Sequence, residues 1–187
     1  MSTAPADLDA TDRGEPATEV EYRYEPERTV GLLGDTIARL HSAAAPDGWA
    51  QLRAADVVEL ARTRIESGEV RPDTLDPAYA HMEPARLLGV LASGAAAVDA
   101  HSGVVPTHGR ADLAHLRCDG GRPLGFADWS AAALADPYRD LAVAARSVAL
   151  DLGPMLVPDL LERAGHPQPD PVRLDWWALA DVLTGAP

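Results

Sequence analysis

Apolar residues recur along this chain with two different periods, and the change of period divides it. From Pro26 the spacing of Val30, Leu33, Ile37 and Leu40 puts them on one helical face, with proline in a first-turn position where its missing N–H costs nothing. A helix from Pro26 to Ala43 is therefore predicted. A second is predicted from Asp56 to Ser67, with Val57, Leu60, Ala61 and Ile65 turned inward and Gly68 as its stop. Glu83-Pro84 opens a third, carrying Leu87, Leu88 and Leu91. Between Leu116 and Asp128 the helical period disappears. Two short apolar stretches flank Asp119-Gly120-Gly121, whose residues suit the positive-φ positions of a tight hairpin turn. Helical spacing then resumes behind Asp136-Pro137, with Tyr138, Leu141, Ala145, Val148 and Ala149 on one stripe. It continues in Met155 to Ala164 and behind Asp170-Pro171, where Trp176, Leu179 and Leu183 follow. Trp176 and Trp177, about 100° apart on a helix, are expected to divide between core and surface. The pattern describes a mainly α fold with one β-hairpin.

The first 25 residues carry Asp7, Asp9, Asp12, Glu15, Glu19 and Glu21 among Ala, Thr, Gly and Pro, with few large apolar groups to offset the entropy of ordering. A disordered acidic tail over 1–25 is expected, with Tyr22 and Tyr24 as a short edge strand leading into one domain over 26–187. The 187 residues suffice for a single core. The net charge of −13 argues against nucleic acid or anionic lipid as a partner, because phosphate recognition needs clustered cations. All 16 basic residues are arginine. No apolar run approaches the roughly 20 residues of a membrane span and no signal-peptide pattern follows Met1, so a cytoplasmic location is expected. Cys118, the one cysteine, excludes an intrachain disulfide.

Candidate chemistry concentrates in the loop Thr107-His108-Gly109-Arg110-Ala111-Asp112-Leu113-Ala114-His115 and the turn Gly125-Phe126-Ala127-Asp128-Trp129-Ser130. His108, Asp112, His115 and Asp128 could gather there, but zinc asks for three or four tetrahedral ligands and the spacing of the two histidines matches no helical or knuckle pattern. A structural role for His108 fits better. Ser130 and Ser147 lack the Gly-x-Ser-x-Gly elbow, and Cys118 on a hairpin strand reads as a small apolar residue. Nucleophilic catalysis has no visible carrier.

These same residues resemble the aminoglycoside phosphotransferase family, whose catalytic loop usually reads H-G-D-x-x-x-x-N and whose metal turn reads G-F-I-D-x-G. Val104 to Leu116 resembles the loop, Gly125 to Ser130 the turn, and Ala135-Asp136-Pro137-Tyr138-Arg139-Asp140-Leu141-Ala142 the segment A-D-R-Y-Q-D-I-A that follows. Ala61 to Arg64, Gly68-Glu69-Val70 and Leu75-Asp76 resemble its substrate-side helical insert, and Pro169 through Asp181 its last helix. The landmarks occur in order over roughly two thirds of the chain. The resemblance implies the C-terminal lobe of a kinase-like fold, with the N-terminal lobe absent because the Pro26 helix resembles the one just after the hinge.

In that family the loop aspartate orients or deprotonates the attacking hydroxyl, and the loop asparagine and turn aspartate hold magnesium. The resemblance places Arg110 at the base position, His115 at the asparagine position and Asp128 at the surviving metal position. A guanidinium does not act as a general base, and imidazole poorly replaces a hard oxygen ligand. Asp140, Arg146 and Asp181 fall on the substrate side. Asp140 and Arg146 could equally form structural ion pairs. Asp73, Asp76, Glu83 and Asp181 could face a polycation or simply be a solvated surface. The expectation is a pseudokinase-like module that binds a ligand or partner and needs no cofactor. The alternative is an ATP- and magnesium-dependent small-molecule O-phosphotransferase whose missing lobe comes from a partner chain. A decayed product without selected function is a third reading. An apolar surface exposed by the missing lobe would favour self-association or a protein partner.

Overall fold

The computed structural model describes residues 4–5, 7–11, 13–101 and 103–185. Among the described residues there are seven α-helices: α1 (Val20–Arg23), α2 (Pro26–Ser42), α3 (Ala54–Glu66), α4 (Pro84–His101), α5 (Tyr138–Asp151), α6 (Val157–Arg163) and α7 (Pro171–Thr184). Five short strands are β1 (Glu15–Pro16), β2 (Val105–Thr107), β3 (Leu116–Asp119), β4 (Arg122–Phe126) and β5 (Ala133–Ala135). The helix starts follow local chemistry: Asp170 accepts the N–H groups of Val172 and Arg173 ahead of α7, and Asp136 accepts that of Tyr138 at 2.9 Å ahead of α5. α2 starts on proline and buries Val30, Leu33, Ile37 and Leu40. These are the four positions its spacing selects.

The hairpin forms as predicted, β3 against β4, and its turn residues Gly120 and Gly121 have φ of 53° and 75°. It is not alone. β1 pairs antiparallel with β3 to make a three-stranded sheet, and β2 pairs with β5 in a second ladder that sets Thr107 opposite Ala133. Leu33, Ile37, Leu113, Leu116, Phe126 and Leu141, all fully buried, join helices and sheet into one core. Each such side chain contributes about 1.5–3 kcal/mol of burial. Helix α7 packs against α3, α4 and α5, and α2 packs against α6.

Four expectations change. The described residues of the segment read as a disordered tail lie against the domain: Leu8 and Ala17 are buried, Ala10 N–H donates to Phe126 O, Phe126 N–H to Leu8 O, and Ala17 N–H to Leu116 O. Backbone hydrogen bonds hold this strap where side-chain hydrophobicity is small. Tyr22 sits in α1 rather than an edge strand and is buried, while Tyr24 is 83% exposed. Trp176 and Trp177 are both buried, because neighbouring helices cover more than one face of α7; Trp176 Nε1–H donates to Leu91 O at 2.8 Å. In α3, Leu60 is exposed instead of turned inward. Among the described residues no helix is long and apolar enough to cross a membrane.

Candidate functional site

The loop joining β2 to β3 carries residues 108–115 and is tied down by a buried carboxylate from the first turn of α5. Asp140 accepts the His108 N–H at 2.9 Å and the Gly109 N–H at 2.7 Å, and His41 Nε2 at the end of α2 lies 3.2 Å from it. Burial alone would raise this carboxyl, but the hydrogen bond and charge of His41, with Arg139 and His108, hold it below the usual carboxylate range. His108 is fully buried between Phe126 and the edge of Trp129. Its Nε2 faces Ala127 O at 3.0 Å and its Nδ1 accepts the Arg110 N–H at 3.2 Å, an arrangement that requires a neutral ring protonated on Nε2. Burial pushes its pKa down to about 4, in keeping with that tautomer. His108, which stands with Arg110 among the candidate catalytic residues of the loop, is held in the structure through both ring nitrogens.

Gly109 has φ of 83°, and a Cβ there would collide with the Arg139 guanidinium and Ala131 O. Arg139 donates from Nη1 to Thr107 Oγ1 at 2.9 Å and from Nη2 to Ala131 O at 2.8 Å. Burial holds its pKa below the ordinary arginine value, with Asp140 and Asp181 acting in the opposite direction.

The two departures from the family pattern, Arg110 and His115, both act on the charge of Asp128. Asp128 has φ of 58°, a left-handed conformation that turns its side chain back over the start of the following turn, where one oxygen accepts the Ser130 N–H. The other oxygen accepts Arg110 Nη1 at 2.9 Å. Hydrogen bonds from Ser130, then the charges of Arg110 and His115, hold Asp128 below the usual carboxylate range. His115 is engaged within the loop by Asp112. Its Nδ1 lies 2.7 Å from Asp112 Oδ1, which also accepts its N–H at 2.8 Å. Among the described residues no group of three or more His, Cys, Asp or Glu is placed to hold a metal ion. Magnesium, which the family resemblance implies, does not fit this donor set: its one surviving carboxylate faces a guanidinium and the second position offers an imidazole.

A cleft of about 640 Å³ opens above the loop between α3, α5 and α7. Arg110, His115, Arg146 and Asp181 line it, whereas His108, Asp128 and Asp140 lie outside its lining. Arg146 is clamped to Asp76, with Nη2 at 2.6 Å and Nε at 3.1 Å from one oxygen. Asp181 is the carboxyl that burial pushes upward, with Asp112 adding to the effect. Asp73 pairs with Arg71 at the surface, and Glu83 is exposed; neither lines the cleft. Sequence reasoning missed His41 and gave Arg139 and Trp177 no part in a site. His41 lies 99 positions from Asp140, so no local spacing marks that contact.

The chain matches the model of the phosphotransferase enzyme family over residues 8–177. Its fold is that of aminoglycoside phosphotransferase APH(3'')-Id from Streptomyces rimosus ATCC10970, at 24% identity and a TM-score of 0.80 over 92% of this chain and 67% of that one. An aminoglycoside-3'-phosphotransferase of type VIII superimposes at 22% identity with a TM-score of 0.77, covering 91% of this chain and 65% of that chain. A choline/ethanolamine kinase family protein from Mesorhizobium loti does so at 15% identity and 0.63, covering 96% and 56%. The chain therefore spans between about half and two thirds of these proteins' lengths. With a family match over residues 8–177, the chain belongs to the phosphotransferase enzyme family.

Proposed function

We propose that this chain is a non-catalytic member of the family, corresponding to the lobe that carries the catalytic loop and serving as a module that binds a ligand or partner. The ion pair between Arg110 and Asp128 carries the reading. It puts a permanent cation where the family mechanism needs a proton acceptor and directs that cation onto the carboxylate that would hold metal. A divalent ion at Asp128 would share the carboxylate with a guanidinium and be repelled by it. His115, engaged by Asp112, supplies no hard oxygen in compensation. The chain also contains no lysine, so none of its own residues can serve as the ammonium that grips nucleotide phosphates.

Calorimetry with ATP and magnesium tests this directly. No saturable binding tighter than about 1 mM is expected, an affinity worth about 4 kcal/mol. Micromolar, magnesium-dependent binding would overturn the proposal and favour an active O-phosphotransferase completed by a partner chain.

A further inference from the structure

Helices α3 and α5 both pack on α7, and the cleft lies between them. Every ionisable side chain in its described lining has a partner of the opposite type from within the chain. Arg110 is taken by Asp128 at 2.9 Å, Arg146 by Asp76 at 2.6 Å, and the His115 ring lies 2.7 Å from Asp112. Asp151 approaches Arg23 at 3.8 Å. The buried Arg139 is balanced by the carboxylates of Asp140 and Asp181, and Asp181 also faces the charges of Arg146 and Arg110. Asp76, which the sequence offers as a residue to face a polycation, is thereby engaged within the chain. The apolar part of the lining is not covered in the same way. Val57 and Leu60 come from α3, Val143 and Leu150 from α5. Leu60 is 47% exposed and Leu150 72%, so two large aliphatic side chains of the lining stand in water. A charged ligand entering here would shed hydration without finding a free counter-charge, whereas an uncharged apolar body would cover both leucines.

We propose that this cleft binds an uncharged small molecule with a largely apolar body, because its own ion pairs leave no charge free for a charged ligand. The proposal rests on reading the chain as a non-catalytic binding module and names the ligand class of that module. A volume of about 640 Å³ falls within the range of roughly 300–1,000 Å³ of small-molecule sites and suits a bicyclic ring system. Selectivity then depends on the pairing of the charged residues, not on their presence. Removing one member of a pair should unmask the other and admit a ligand of the opposite charge. Asp76 and Arg146 are the pair to use, because Arg146 lines the cleft and its side chain is 46% exposed.

The test is a titration of the full chain at pH 7.5, without magnesium, with three probes of one shape: 2-naphthalenemethanol, 2-naphthoate and 2-naphthylmethylamine. Binding is followed through the Leu60 and Leu150 methyl resonances, assigned with Leu60→Ser and Leu150→Ser. The alcohol should shift both saturably, with a Kd below about 1 mM and at least tenfold tighter than either charged probe. Each serine variant should weaken it severalfold, and Val172→Ser, exposed on α7 outside the lining, should not. Asp76→Asn keeps an acceptor for the Ala78 N–H and should raise naphthoate affinity at least tenfold. Arg146→Gln should do the same for the amine. If one of these two does not fold, the other decides. A charged probe binding the unaltered chain as tightly as the alcohol, unshifted methyls up to about 5 mM alcohol, or charge preferences that the folded pair variants leave unchanged would each overturn the proposal. Those results leave the non-catalytic reading standing, whereas magnesium-dependent ATP binding with turnover sinks that reading separately.

Discussion

Asp140 is where the loop can be tested most sharply, because one fully buried carboxylate satisfies two main-chain donors and a histidine. Replacing it with alanine leaves the His108 and Gly109 N–H groups without their acceptor and His41 without its partner. An unsatisfied buried donor costs about 1–3 kcal/mol, and the Gly109 amide is only partly buried, so a loss of about 3 kcal/mol is expected for the two amides together. For a domain of this length that corresponds to a fall in Tm of about 6–12 °C. Asp140→Asn keeps the volume and one acceptor oxygen but loses the charge, and about half the effect is expected. Urea unfolding followed by both fluorescence and circular dichroism gives the free energies and checks two-state behaviour. The pH dependence has a definite sign. A carboxyl held below its unfolded value stabilises fully above that value, near 3.8, and its contribution is lost as pH falls through the lower folded one. A change below about 1 kcal/mol in Asp140→Ala would refute the claim that this carboxylate holds the loop.

His108 predicts a separate, milder acid limb. Its pKa is depressed from 6.5 to about 4, so the unfolded chain binds the extra proton first and stability should fall by up to about 3 kcal/mol as pH drops through that window. Urea midpoints between pH 7.5 and 4.5 that do not move would contradict the buried neutral ring. Arg110→Asp combined with His115→Asn returns a base and a metal ligand, yet ATP-dependent phosphorylation of kanamycin is expected to remain undetectable. Phosphate positioning can be worth roughly 7 to 11 kcal/mol of a barrier and this chain has no lysine to supply it; measurable transfer by the double variant alone would show a lightly disabled enzyme.

The parts of the fold that the sequence disclosed are those decided within a few residues. Asp119-Gly120-Gly121 specifies its own turn, Asp170 caps its own helix, and the α2 stripe needs only its 3.6-residue period. The parts it hid depend on distant partners. Main-chain bonds to Phe126 and Leu116 hold the described residues of the strap, 8–11 and 13–17, and composition carries no trace of such bonds. Trp177 is buried because other helices also cover its side of α7, which helical periodicity of one segment cannot reveal.

The candidate site divides in the same way. That Arg110 and His115 depart from the family's usual loop pattern was legible in the loop alone. What each does instead required coordinates, because Arg110 spans 18 positions to Asp128 and Asp112 turns His115 aside. The two contacts act together: Arg110 pairs with the Asp128 carboxylate while Asp112 engages His115. A site so arranged satisfies these charges from within the chain, Arg110 with Asp128 and His115 with Asp112, while the buried Arg139 is balanced by the carboxylates of Asp140 and Asp181.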